Sequence, residues 1–453
     1  MARAKKASKA EKEEVPESTT IRIIRFIIPI AIAAISLTIW FPTILENNNN
    51  AVHENSTKQA IQPFIKVPTG QIGDAHSEYD TLNQVNEDLS SHLRTLIRTP
   101  FFSHYKLNLY KQCPFWDVGG LCVQRDCAVE ILDENQVPEE LRNKLGAIDF
   151  TPATFGFQPI KKCEYSDKDF CLVEAENSED GVYVNLVNNP ERFTGYSGDS
   201  ANRIWQSIYE ENCFKSDSKH DHISHMDNAL TSPEDQDSCL EKRVFYRLVS
   251  GLHASISIHV CDEFYNKTTG EWGHNMPCYH YRVGKFPERI ENVYFNYAIV
   301  LRAINKMSKY LTTYDFCSGN KQADDEVKNL VNNVVSATSA YPPTFNEKAF
   351  FSDPRSHVLK EEFRDHFRNV SRIMDCVGCE KCRLWGKIQT TGLGTALKVL
   401  FSYDDHKFGG KSNSNLLQRS EIVALFNTFN RFSESVEAIQ RFQAMYPDYP
   451  QLQ

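Results

Sequence analysis

Apolar residues recur at the three-and-four spacing of a helix through most of the chain. Ile204, Trp205, Ile208 and Tyr209 form one such stripe. Val244, Phe245, Leu248, Val249, Leu252 and Ile256 form a second within 241–260, and Val293, Tyr294, Tyr297, Val300, Leu301 and Ile304 a third within 288–311. Phe363, Phe367, Val370 and Met374 predict a helix over 361–374. An apolar wall follows at Leu384, Trp385, Ile388, Leu393, Leu397 and Leu400. Residues 321–360 read as a helix and a Pro-rich loop, and Ile422, Leu425, Phe426, Phe429 and Phe432 predict one or two closing helices over 420–445. The pattern predicts a mainly α protein built as a single helical domain.

The same pattern divides the chain. Residues 1–25 are polar and basic, with Arg3, Lys5, Lys6, Lys9, Lys12, Arg22 and Arg25. The apolar run over 26–45 has about the length needed to cross a bilayer. No clear small-residue cleavage site follows it, and the positive charges precede it, so it reads as a signal anchor with its N-terminus cytosolic. Residues 46–75, with four consecutive asparagines, read as a linker to a catalytic domain over 76–453. An amphipathic segment runs from His76 to Leu109, 131–181 is polar and irregular, and 216–238 reads as a disordered insert rich in Asp, Ser and His. His220, His222 and His225 in that insert fit a solvated loop better than a metal site.

Composition narrows the function. A net charge of -9 argues against a nucleic-acid partner held through phosphates. Thirteen cysteines suit an oxidising compartment, and the odd count leaves at least one unpaired within the chain. Sequons at Asn55, Asn266 and Asn369 fit a lumenal side. The chemistry concentrates at Cys376, Cys379 and Cys382, spaced by three on or just past a helix. A redox disulfide, a metal site or inert structural cysteines could each use that row. The spacing ranks redox first, because no second pair at this spacing completes a zinc site and the further ferredoxin cysteines are missing. Cys122 and Cys127, after Gly119 and Gly120, read as a stapled surface loop or as a mobile dithiol on a glycine hinge.

The run CVGCEKCRLWGKIQTTGLGTAL resembles the active-site segment of the endoplasmic reticulum oxidoreductins, flavoenzymes that make disulfides for protein disulfide isomerase. CPFW followed by the Cys122–Cys127 spacing is similar to that family's shuttle region, and the blocks NPERFTGYSGDSANRIW and RLVSGLHAS to its cofactor segments. The resemblance implies a thiol oxidase of the endoplasmic reticulum membrane, with a helical bundle cradling noncovalent FAD. It implies that electrons pass from the isomerase to Cys122–Cys127, then to Cys379–Cys382, FAD and dioxygen, with Cys382 against the flavin and hydrogen peroxide as product. FAD contacts are implied at Arg192, Thr194, Trp205, Ser250, His253, Arg289 and Arg302. Disulfides are implied between Cys113 and Cys376 and between Cys213 and Cys239. A dinucleotide fold is not expected, since GLGTAL lacks the third glycine and no strand precedes it.

The resemblance implies that any off-state regulatory disulfide uses Cys163 or Cys171; no partners are assigned to Cys163, Cys171, Cys261, Cys278 and Cys317, although a local Cys261–Cys278 bond fits, and no metal is expected. Two other classes stay open: a flavin-free disulfide reductase or isomerase, and a metal-stapled lumenal adaptor.

Overall fold

The computed structural model describes residues 69–115, 148, 180–191, 198–214, 240–266, 269–316, 320–339, 341, 345–352, 356–404, 407–408 and 416–449. All of them fall in the compact unit Pro63–Gln453. The apolar run over 26–45 lies outside them, and among the described residues no helix is long and apolar enough to cross a membrane. The linker and the 216–238 insert also lie outside.

The core is four long helices: α3 (Leu240–Asp262), α5 (Pro287–Lys306), α9 (Glu380–Ser402) and α10 (Arg419–Met445). The closing segment is thus one helix, started by a capping box in which Gln418 and Glu421 satisfy each other's backbone N–H groups. Proline at the first position of α5 leaves no amide unsatisfied there. Two glycines bring helix backbones together. A Cβ on Gly392 of α9 would stand 2.1 Å from Thr428 Oγ1 of α10, and one on Gly251 of α3 would stand 2.3 Å from the Asn292 carbonyl of α5.

Around this core, α1 (Tyr79–Ile97) buries Leu82, Val85, Leu89, Leu93 and Leu96 against α10 and α7 (Lys321–Ser339). Asn86 of α1 donates to the Ser433 carbonyl of α10 at 3.1 Å. On the other side, α2 (Gly198–Glu210) and α8 (Ser356–Ile373) pack on each other and on α3, and α8 also packs on α9. Among the described residues, two short helices, α4 (Met276–Tyr279) and α6 (Ser308–Thr313), complete the set, with a π turn over His280–Gly284.

The amphipathic stretch after His76 is not continuous. Helix α1 stops before Thr99 and Pro100, whose ring disfavours helical geometry in the preceding residue. The chain then forms strand β3 (His104–Leu107), antiparallel to β4 (Val182–Asn185) with His104 opposite Asn185. Two further two-stranded pairs, β1 (Gln71–Ile72) with β2 (Ser77–Glu78) and β5 (Phe264–Asn266) with β6 (Glu271–Gly273), are antiparallel hairpins at the ends of helices. The predicted helix over 288–311 divides at Met307 into α5 and α6.

Candidate active site

The cysteine row spans three local structures. Cys376 closes a 3-10 turn at the end of α8, Cys379 caps α9, and Cys382 lies in its first turn. Cys379 and Cys382 are 1% and 0% exposed, and their sulfurs lie 2.7 Å apart. Cys379 Sγ also accepts the Cys382 N–H at 3.3 Å. A helix N-terminus favours negative charge on the sulfur that caps it. Burial, then the bond to Cys379 and the charges of Cys379 and Glu191, push the Cys382 thiol well above the ordinary range.

Cys376 is disulfide-bonded to Cys113, with their Cα atoms 4.4 Å apart. The Arg383 guanidinium donates to the Val377 carbonyl at 2.8 Å and to the Leu109 carbonyl, so the segment after β3 is held against the head of α9 twice. A buried Asp375–Lys387 ion pair fixes the Cys376 turn to the same helix. Cys122 and Cys127 lie outside the described residues, as do Cys163, Cys171, Cys239 and Cys317. Cys213 follows the end of α2. Cys261 and Cys278 are disulfide-bonded and join the end of α3 to α4.

A second cluster sits where α2, α3 and α5 meet. The Trp205 indole stacks on the His253 imidazole, with centroids 3.9 Å apart and planes 14° from parallel. Tyr209 shares a hydrogen bond with His253 Nδ1 at 3.1 Å, and Ser250 Oγ accepts from Asn292 at 3.0 Å. Burial, helped by the charges of Arg289 and Arg282, pulls His253 down to about 3, so the ring is neutral at physiological pH. The Arg289 guanidinium lies over the Phe286 ring, 3.9 Å from its centroid. Flat rings beside two guanidiniums and a hydroxyl form a donor set suited to a planar heteroaromatic group that carries phosphate.

Arg302 is not part of this cluster. It stands thirteen positions beyond Arg289 on α5, about 20 Å along the axis, and it holds Glu347 through two bonds of 3.1 and 2.7 Å. Arg192 and Thr194 lie outside the described residues, as does Asn55. Asn266 ends β5 on an exposed hairpin. Asn369, on α8, donates its amide nitrogen to Glu211 at 3.2 Å.

Sequence reasoning did not single out Arg282, which a π turn presents, nor the buried network around Glu191. Glu191 accepts from Gln389 at 3.0 and 3.1 Å and pairs with Arg431. Its one legible signal was a carboxylate beside Arg192 in the NPERF block.

A family model described as Endoplasmic Reticulum Oxidoreductin 1 (ERO1) matches residues 88–439. The chain is 43% identical to endoplasmic reticulum oxidoreductin-1 of Neurospora crassa over 440 residues, covering 80% of this chain and 66% of that one. It is 37% identical to human ERO1-like protein alpha, covering 83% and 90% of the two chains. A mutant of S. cerevisiae Ero1p superimposes with a TM-score of 0.63 at 38% identity, covering 83% of this chain and 99% of that one. A structure of Ero1p described as "Source of Disulfide Bonds for Oxidative Protein Folding in the Cell" gives 0.63 at 36% identity, covering 82% and 99%. The chain spans 66%, 61% and 64% of the length of its Neurospora crassa, Kluyveromyces lactis and Eremothecium gossypii relatives.

Proposed function

The chain belongs to the endoplasmic reticulum oxidoreductin family, and from that footing we propose that it is a thiol oxidase that makes disulfides de novo for protein disulfide isomerase. The observation that carries the reading is the Cys379–Cys382 pair, with sulfurs 2.7 Å apart, buried at the head of a core helix. The Cys113–Cys376 bond ties that head to the segment leading toward Cys122 and Cys127. Cys122 follows Cys113 by nine residues, a tether of at most about 30 Å.

In this reading a thiolate of reduced isomerase attacks the Cys122–Cys127 bridge, and the resulting mixed disulfide resolves to release oxidised isomerase and a shuttle dithiol. That dithiol opens the Cys379–Cys382 bond by the same exchange and becomes a disulfide again. Burial of the inner pair keeps bulky clients away from it, which is why a second pair is needed.

The residues present fit FAD: Trp205 and His253 offer flat faces, Arg289 a cation and Ser250 a hydroxyl, with Arg192 and Thr194 proposed beside them and Arg302 proposed about 20 Å farther along α5. What FAD supplies when bound is a two-electron acceptor that dioxygen reoxidises, with hydrogen peroxide as product. The 26–45 run would anchor the catalytic domain on the lumenal face of the endoplasmic reticulum membrane.

The test is the visible spectrum of purified protein together with oxygen uptake on adding reduced isomerase. A flavin spectrum in both forms, with uptake lost in Cys379→Ala, supports the relay. A folded, colourless protein overturns the flavoenzyme reading.

A further inference from the structure

Cys261 and Cys278 take no part in the proposed relay, yet their disulfide joins the last turn of α3 to α4. Cys261 is fully buried, and its carbonyl accepts the Asn275 N–H at 2.8 Å. Asn275 also caps α4, its Oδ1 accepting the Cys278 N–H at 2.9 Å. On another side α4 rests on α10, where Tyr279 stacks on Phe442 with centroids 4.2 Å apart. From α4 the chain runs through the π turn His280–Gly284, Lys285 and Phe286 directly into α5. Arg289, in the first turn of α5, is held twice by that connection. Its Nη1 donates to the Arg282 carbonyl, and its guanidinium lies over the Phe286 ring, 3.9 Å from the centroid. Helices α3 and α5 run antiparallel along one seam: Asn296 donates to the Leu248 carbonyl at 2.9 Å, and Asn292, one turn earlier, to Ser250 Oγ at 3.0 Å. One further turn each way brings Arg289 and His253 onto the same seam, since residues three apart share a helix face.

We propose that the Cys261–Cys278 disulfide is a positioning device for the cofactor: by fixing α4 and the π turn to the end of α3, it holds the Arg289 guanidinium on the seam that carries Ser250 and His253, preformed for the diphosphate of FAD. The inference rests on the reading of the Trp205, His253 and Ser250 cluster as the FAD site. A flexible arginine loses side-chain freedom when it closes on an anion, and a guanidinium already held by a carbonyl and a ring has less to lose. Both of those holds lie on the connection that α4 begins. Opening the bond removes the covalent tie between α3 and α4, so the carbonyl and the ring that fix Arg289 are no longer tied to the helix that carries His253. The bond also encloses the β5–β6 hairpin, and a mere staple for that hairpin would act on stability without acting through Arg289.

The test is FAD release from the full-length holoprotein, with free flavin measured by absorbance after ultrafiltration across a dilution series to give a dissociation constant for each variant. Arg289→Ala is expected to weaken FAD about tenfold or more, the size of one hydrogen bond to a charged group. The double variant Cys261→Ala/Cys278→Ala is expected to weaken it about fivefold, and to add less than about twofold once Arg289→Ala is present, because both changes act through one guanidinium. Asn275→Ala loosens α4 with the disulfide intact. It is expected to weaken FAD in the same direction with the same lack of additivity, and it carries the test should the double variant lose its native circular dichroism. Folded variants that hold FAD as the parent does, or effects that multiply in full with that of Arg289→Ala, overturn the proposal and leave the bond a staple for the hairpin. The parent is measured first, so a folded parent that binds no FAD is a separate outcome, one that removes the premise itself.

Discussion

The neutral ring of His253, flat against Trp205 and beside two arginines, ties stability to pH with a definite sign. An unfolded histidine takes up its proton near pH 6.5, whereas the native ring is held down to about 3. Between those values the unfolded chain binds the proton and the folded one does not, so stability present above about pH 6.5 is lost as pH falls. His259, also buried and pulled below its ordinary value, adds in the same direction. The slope for one such group is about 1.4 kcal/mol per pH unit. Urea midpoints measured from pH 7 down to 4.5 should fall more steeply for the parent than for His253→Phe, and equal slopes would contradict the burial assigned to this ring. The sequence placed His253 on an amphipathic helix within a cofactor-like block. It could not show the indole that covers the ring, because Trp205 belongs to another helix.

Among the helices, the two close crossings make the sharpest predictions. Gly392→Ala would drive a methyl group into Thr428 and the Ala424 carbonyl, and Gly251→Ala into Asn292. Each should cost about 1–3 kcal/mol, the range for overpacked cores. A Cβ on Gly273 meets nothing within 4 Å, so Gly273→Ala should stay within about 0.5 kcal/mol of the parent. Denaturant titration of the three variants decides the matter, and a Gly392→Ala protein as stable as Gly273→Ala would refute the tight crossing. Cys113→Ser should lose about 2–5 kcal/mol by releasing the segment after β3 from the head of α9. Helical periodicity made these elements legible, and α9 follows its predicted wall of apolar residues closely. The short strands were not legible, since β3 finds its partner only at 182–185. Nor did a spacing of three reveal that one cysteine caps a turn, the next caps a helix and the third lies inside it.

For the molecule as a whole, membrane attachment and glycosylation are the testable consequences. The full chain should sediment with membranes and resist carbonate extraction, and a fragment beginning at Glu46 should not; release of the full chain by carbonate would exclude the anchor. Asn266 sits exposed on a hairpin, where its side-chain oxygen accepts the Thr269 N–H at 3.4 Å. Asn369 is half-buried and has its amide nitrogen, the atom that would carry the sugar, on Glu211. Asn266→Gln should therefore remove a glycosidase-sensitive mobility shift, and Asn369→Gln should leave mobility unchanged. A shift lost in Asn369→Gln would show that the Glu211 contact gives way to a glycan.

Local chemistry was readable from order alone. Helix periods, a cysteine row at a fixed spacing and the density of one matching segment depend on neighbours within a few turns, and they gave the helical class and the redox assignment. The meetings of Trp205 with His253, Cys113 with Cys376, and Glu191 with Gln389 and Arg431 belong to the packed molecule. Each joins residues from separate elements, and only the angles and distances at which helices close on one another, set by small residues such as Gly251 and Gly392, decide which side chains face each other.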